Sequence, residues 1–167
     1  MSSIFSKIVS GEIPSYTIEE NDQFMALLDI NPLVEGHVLV IAKIEVDRIY
    51  DLQDTVLQEM IVFAKGVSLR MEKLIACKRI GWSVIGLEVP HAHIHLVPIN
   101  SADDLNFTRT KLSPSATELK LMQEKLKAIV GANFLFSQPV ELRFNELLTG
   151  VREDVAIKLY GNDLDVF

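Results

Sequence analysis

Cysteine is almost absent. Cys77 is the only one in 167 residues, so the chain can build neither a disulfide framework nor a thiolate zinc cluster of its own. Cys77 itself reads as a buried small hydrophobe. A basic surplus is missing too: 16 Lys and Arg stand against 23 Asp and Glu, for a formal charge of −7. Without a basic stripe to replace phosphate counterions, the charge argues against a nucleic-acid partner. A small nucleotide needs only a few local donors and is compatible with it. No apolar run approaches the ~20 residues of a membrane span, and Met-Ser-Ser-Ile-Phe-Ser-Lys at the start lacks a continuous apolar leader segment. The expectation is a cytoplasmic protein with no membrane partner. Repeats and low-complexity stretches are also lacking. What is present, 49% hydrophobic and 23% charged residues, is the composition of a folded domain with a real core.

Periodicity then orders the chain. Ile4, Phe5, Ile8 and Val9 predict a short amphipathic helix ending near Gly11. Ser15–Glu20 and Phe24–Ile30 read as strands of a hairpin turning at Asn21-Asp22. Asp29, a carboxylate at the end of an apolar strand, is either a turn acid or an acceptor for ligand hydroxyls. Gly36-His37 opens a strand over Val38–Ala42, and Asp54 is placed to cap a long helix with an apolar stripe from Val56 to Leu74. Ile80–Leu87 predicts a strand that feeds the next one directly, and Pro114 to about Val130 predicts a final helix that Gly131-Ala132-Asn133 breaks. Helix, three strands, helix, two strands, helix is an α+β order with a mostly antiparallel sheet.

The chemistry concentrates in Val89–Pro98, where His91, His93 and His95 alternate with Ala92, Ile94 and Leu96. On a strand, residues two apart share a face at roughly 6–7 Å, which predicts three imidazoles on one side and the spacers in the core. Metal ligation would take two of these imidazoles plus His95 or His37. Ligands at three alternate positions of one straight strand converge poorly, however, and only Glu88 is near enough in sequence to orient them, so no metal is assigned. A solvent-facing polar row is the second alternative. The third is catalysis at phosphorus, with a neutral imidazole as nucleophile and its neighbours donating to the phosphoryl oxygens. His93, flanked on both sides, is the natural attacker, with one nitrogen bare and the other donating to a carbonyl.

His91-Ala92-His93-Ile94-His95-Leu96-Val97 resembles the signature of the histidine-triad (HIT) superfamily. Ile4–Pro14 resembles the opening of its nucleotide-binding branch, and Leu28–Pro32 with Gly36–Ile41 resembles its second block. The likeness covers residues 1 to about 130. It implies a five-stranded, mostly antiparallel sheet with a long helix, continued across a homodimer. It implies a hydrolase that cleaves purine nucleoside 5′-phosphoramidates or related adenylates of AMP type through a nucleotidyl-histidine intermediate, without a cofactor. By position, His93 is the nucleophile, His95 and His37 contact phosphate, and His91 lies toward the leaving group. Phe5, Ile8, Ile13, Leu27 and Ile30 match base-pocket positions, and Asp29 matches the ribose-binding carboxylate. Alternatives are a dinucleoside polyphosphate hydrolase, or a nucleotide-binding interaction protein with weak catalysis.

One segment departs from the family. Val84–Pro90 is a short link to the triad, with Leu87 where a Gln would be expected and Glu88 near where a hydroxyl would stand. A carboxylate beside the phosphate would repel it unless turned away or paired. The departure predicts slower turnover or an altered leaving-group preference. Residues 131–167 read as an appended tail that is not an independent domain, being too short for a core of its own. Within it, about 137–167 resembles a fragment of the periplasmic region of heavy-metal efflux pumps of the resistance-nodulation-division family.

Overall fold

The structure, a computed structural model, describes residues 2–136, with side chains through 128. In the tail, the sequence pattern also suggests a helix-like stretch over 140–148 and a strand-like one over 155–160, and both lie outside the described residues. The elements run α1 (Ile4–Val9), β1 (Thr17–Glu20), β2 (Phe24–Leu28), β3 (Val38–Ala42), α2 (Asp54–Leu74), β4 (Arg79–Ser83), β5 (His93–Ile99) and α3 (Ala116–Phe136). The expected order of helices and strands is the observed one. All five strands form a single sheet in the order β1-β2-β3-β5-β4, with every pair antiparallel.

Strand alternation gives the sheet two different faces. Phe24, Ala26 and Leu28 of β2, Val38, Val40 and Ala42 of β3, and Ile94 and Leu96 of β5 pack against Met60, Ala64, Val67 and Met71 of α2 and Leu119, Met122 and Leu126 of α3. This is the main core. The opposite face carries Met25, Leu27, Leu39 and Ile41, covered by Phe5, Ile8 and Val9 of α1. β2 and β3 are therefore buried along their whole length, which explains why they read as unbroken apolar runs. His93 pairs with Ile41 and His95 with Leu39, so both histidines stand on the α1 face.

Several boundaries differ from those predicted. β5 begins at His93, and β4 ends at Ser83, so 84–92 is a loop and not a continuation of two strands. The cause is the length of the partner: β3 ends at Ala42, one residue past the Ile41–His93 pair, and no ladder remains to hold His91 extended. Gln53, not Asp54, occupies the cap position of α2. Ser115 and Glu118 cap α3 reciprocally, with the Ser115 N–H donating to the Glu118 carboxylate and the Glu118 N–H to Ser115 Oγ. α3 then continues through Gly131-Ala132-Asn133. Cys77 is only partly buried, and desolvation raises its thiol above the ordinary value.

The turn into β3 is fixed by Gly36, whose φ of +81° lies in the left-handed region. A Cβ at this position would fall 2.5 Å from Ile75 Cδ1. Gly36→Ala should lower unfolding free energy by about 1–3 kcal/mol from backbone strain alone. Urea denaturation of the two proteins measures this, and an unchanged midpoint would contradict it.

Candidate active site

His93 and His95 come from β5, His37 from the residue just before β3, and Asp29 from the residue just after β2. The backbone brings the last two together, because the Asp29 N–H donates to the His37 carbonyl at 3.0 Å, one rung beyond the β2–β3 ladder. The Asp29 side chain accepts the Asn31 N–H at 2.9 Å, which shapes the loop after β2. These groups face a cavity of about 440 Å³. Phe5, Ile8, Ile13 and Leu27 form part of its apolar wall, and the half-exposed Ile30 lies at its margin.

The hydrogen bonds among the imidazoles fix their protons. A carbonyl only accepts, so His93 Nδ1 carries a hydrogen and donates to the His91 carbonyl at 2.5 Å. In the neutral ring, Nε2 is then bare. It lies 3.2 Å from His95 Nε2, which must be the donor. His95 Nδ1 is therefore the acceptor of the 3.0 Å bond from His37 Nε2–H. That leaves His37 Nδ1 without a hydrogen, as required to accept the Leu33 N–H at 3.2 Å. The two backbone ends of the chain demand the same direction, and the row ends on a lone pair at His93 Nε2. Asp29 Oδ2 lies 3.4 Å from His37 Nδ1, which is a contact with a neutral ring and not an ion pair.

Burial keeps these rings uncharged. Desolvation first, then the Lys111 and His93 charges, lower His37 to about 4. Desolvation, then His37 and His93, lower His95 to about 3. His93 is also lowered, chiefly by burial. At neutral pH the row offers N–H donors and one nucleophilic lone pair, and no cation.

A nucleophilic imidazole in a pocket with an apolar wall and a carboxylate at its edge suits a nucleotide. The sequence profile of the HIT domain family matches residues 10–102. The chain belongs to the HIT domain family. It is 36% identical over 107 residues to an uncharacterized HIT-like protein of Methanocaldococcus jannaschii, an overlap covering 60% of this chain and 81% of that one. It is 34% identical over 97 residues to the adenosine 5′-monophosphoramidase HNT1 of Saccharomyces cerevisiae, covering 57% of this chain and 61% of the enzyme. A HIT-like protein from Bartonella henselae superposes with a TM-score of 0.66 at 25% identity, over 76% of this chain and 95% of that one. The chain is thus a nucleotide-binding hydrolase of the HIT family with the HIT-like α+β fold. Separately, 48 residues, 29% of the chain, are 54% identical to the cobalt-zinc-cadmium resistance protein CzcA of Cupriavidus metallidurans. They amount to 4% of that protein's length.

Of the residues singled out in the sequence, His37, His93, His95, Asp29, Ile30, Phe5, Ile8, Ile13, Leu27 and Glu88 all line the cavity of this HIT domain. His91 does not. It is fully buried behind the wall, where Nε2 donates to the Ala42 carbonyl at 2.6 Å and Nδ1 accepts the Ser3 hydroxyl at 2.7 Å. Ser3 also caps α1 by accepting the Ser6 N–H, and Phe5 meets His91 and His93 edge-on at 5.6 and 5.3 Å. His91 therefore ties α1 to the strand that carries His93. Sequence reasoning missed Ser3, Phe107 and Lys111. Phe107 packs edge-on against His95 at 4.9 Å, and Lys111 lines the cavity and grips both Glu88 oxygens at 2.7 and 2.8 Å. The repulsion expected of Glu88 is met by this pairing, and Lys111 holds the Glu88 carboxyl below its ordinary range. One ligand atom each from Asp29, His37 and His95 lies within 4.8 Å of the others, although a cation there would displace the His37–His95 hydrogen bond.

Low folded pKa values make stability depend on pH. His37 and His95 hold about 4 and about 3 in the fold against 6.5 as free groups. As pH falls below 6.5 the unfolded chain takes up protons that the fold refuses, so stability is lost with falling pH, by up to about 1.4 kcal/mol per unit for each histidine. Glu88, with its depressed carboxyl, contributes above its ordinary 4.5 and loses that contribution only as pH falls below it. Urea unfolding should show a loss of about 2–4 kcal/mol between pH 6.5 and about 4.5, with a shallower decline in His37→Gln.

Proposed function

We propose that this protein hydrolyses purine nucleoside 5′-phosphoramidates or related adenylates by covalent catalysis on His93. The observation that carries the reading is the bare Nε2 of His93, left by a chain of hydrogen bonds anchored on backbone groups at both ends. Nε2 attacks the phosphorus, the P–Nε2 bond forms, and the bond to the leaving nitrogen breaks. His95 Nε2–H, released from Nε2 of His93, turns to a phosphoryl oxygen where negative charge develops. The amine departs with a proton from water, leaving hydroxide. A second water then attacks phosphorus and gives its proton to that hydroxide, the P–Nε2 bond breaks, and AMP and neutral His93 are restored. Net, one water is consumed, with hydroxyl on phosphorus and hydrogen on the amine.

The apolar wall around Phe5, Ile8, Ile13 and Leu27 suits a purine, and Asp29 beside it suits the ribose hydroxyls. The yeast relative's name as an adenosine 5′-monophosphoramidase supports the bond type. His91 acts here as a positioning residue, holding α1 and the carbonyl that orients His93. A homodimer joined along β4, an outer strand of the sheet with the partly exposed Trp82, is part of this reading. The activity is assigned to residues 1 to about 130. Among the described residues no helix is long and apolar enough to cross a membrane.

Incubation with an adenosine 5′-phosphoramidate should release AMP, and His93→Ala should slow release by about 10³-fold or more. Equal rates would end the proposal. Because burial lowers the His93 pKa, the acid limb of kcat/KM should lie below 6.5, with no decline as pH rises from there to 8.

A further inference from the structure

The neutral imidazole row creates an electrostatic requirement that it does not meet. A nucleotide phosphate brings negative charge into a cavity whose three lining histidines carry none. Among the described residues lining it, Lys111 is the single ammonium or guanidinium, and Asp29 and Glu88 are the carboxylates. Lys111 is not free: its Nζ sits between the two oxygens of Glu88. The pair bridges the loop leading into β5 and the loop leading into α3. Lys111 is itself held near the site, because the N–H of Leu112 donates to the Pro32 carbonyl at 2.8 Å, tying this loop to the one that carries Asp29.

We propose that Lys111 is the phosphate-binding cation of this site, and that Glu88 parks it at the cavity edge until a nucleotide phosphate takes it over. This rests on the reading of the cavity as a nucleotide site. The exchange is favourable on general grounds. Glu88 is 75% exposed, and an ion pair on the solvent side contributes little. A phosphate offers more charge and more acceptor oxygens than one carboxylate, in surroundings drier than those Lys111 leaves. Both partners already act on the imidazoles: Lys111 is among the causes that lower His37, and Glu88 among those that oppose the lowering of His93 and His95. Moving Lys111 inward would therefore add positive charge beside the row while leaving its protons in place. Glu88, which departs from the family pattern, becomes a tuning residue, setting how much of the Lys111 charge a phosphate must win.

Calorimetric titration of the full chain with AMP and with adenosine separates this from other roles. Lys111→Met should weaken AMP about tenfold and leave adenosine unchanged, and its AMP affinity should depend less on salt. Glu88→Gln should tighten AMP by about threefold, again without effect on adenosine. Lys111→Arg should retain most of the AMP affinity. If Lys111→Met weakened AMP and adenosine equally, or if Glu88→Gln weakened AMP, the exchange would be overturned. A wild-type protein that binds and turns over nucleotide while Lys111→Met matches it defeats this inference alone. A wild-type protein that binds no AMP defeats the nucleotide reading and this inference together.

Discussion

The His91 carbonyl accepts the Nδ1–H of His93 at 2.5 Å, and that bond decides where every other proton of the imidazole row lies. Reversing it would set a hydrogen-free ring nitrogen against a carbonyl oxygen in a buried site, at a cost of at least a lost hydrogen bond. With its direction fixed, His95 must donate, His37 must donate, and His37 Nδ1 must accept from Leu33. Two main-chain groups far apart in sequence thus enforce one tautomer on three rings. Since a neutral row has only this one consistent arrangement, the lone pair always falls on His93 Nε2. Protonation of His93 would consume that lone pair, and burial opposes it.

The fold exists in the form needed to hold those two ends still. β3 and β5 pair over Val38–Ile41 and His93–Leu96, and their main-core side chains, Val38, Val40, Ile94 and Leu96, are all at most 1% exposed. A slip of one residue would turn His93 and His95 into this core and expel Ile94 and Leu96. Burial of unpaired imidazoles and exposure of two aliphatic side chains would each cost several kcal/mol, so the register that serves the site is also the register that makes the core. α1 adds the other support. Ser3 caps it and donates to His91, so the helix that covers the apolar part of the cavity is fastened to the residue whose carbonyl orients His93.

The sequence made the strand around His93 legible because period-two alternation reflects a real pleat with Ile94 and Leu96 in the core. The choice of His93 as attacker starts from its middle position among three histidines, whereas the structure sets its ring at the end of the row, next to His95 alone. The sequence did not reveal that His91 leaves the row. Alternation persists in the letters past the point where β3 stops supplying hydrogen bonds, and partner length is a tertiary fact. Nor did it reveal Ser3, whose hydroxyl reaches a ring 88 positions away. Lys111 was hidden for a related reason. A single lysine in a polar loop carries no periodic signal, and its meaning comes from a carboxylate 23 positions earlier. Contacts within one strand pair left a pattern in the chain, whereas contacts between loops did not.

Separating the nucleophile from the counter-charge resolves a conflict built into histidine. A cationic imidazole attracts phosphate but has no lone pair to attack it, and a neutral one has the reverse properties. Placing both demands on β5 would force a compromise near the ordinary pKa of 6.5, with only part of the population reactive at any pH. Here β5 is buried enough to commit its rings to neutrality. The ammonium on the cavity edge comes from the loop before α3, where the side chain is partly exposed. The two functions can then be adjusted independently: depth of burial sets the reactivity of His93, and the strength of the Glu88 contact sets the charge available to the phosphate. In a protein whose net charge is −7, that second control matters, because the general field of the chain repels the anion and only local charge can admit it.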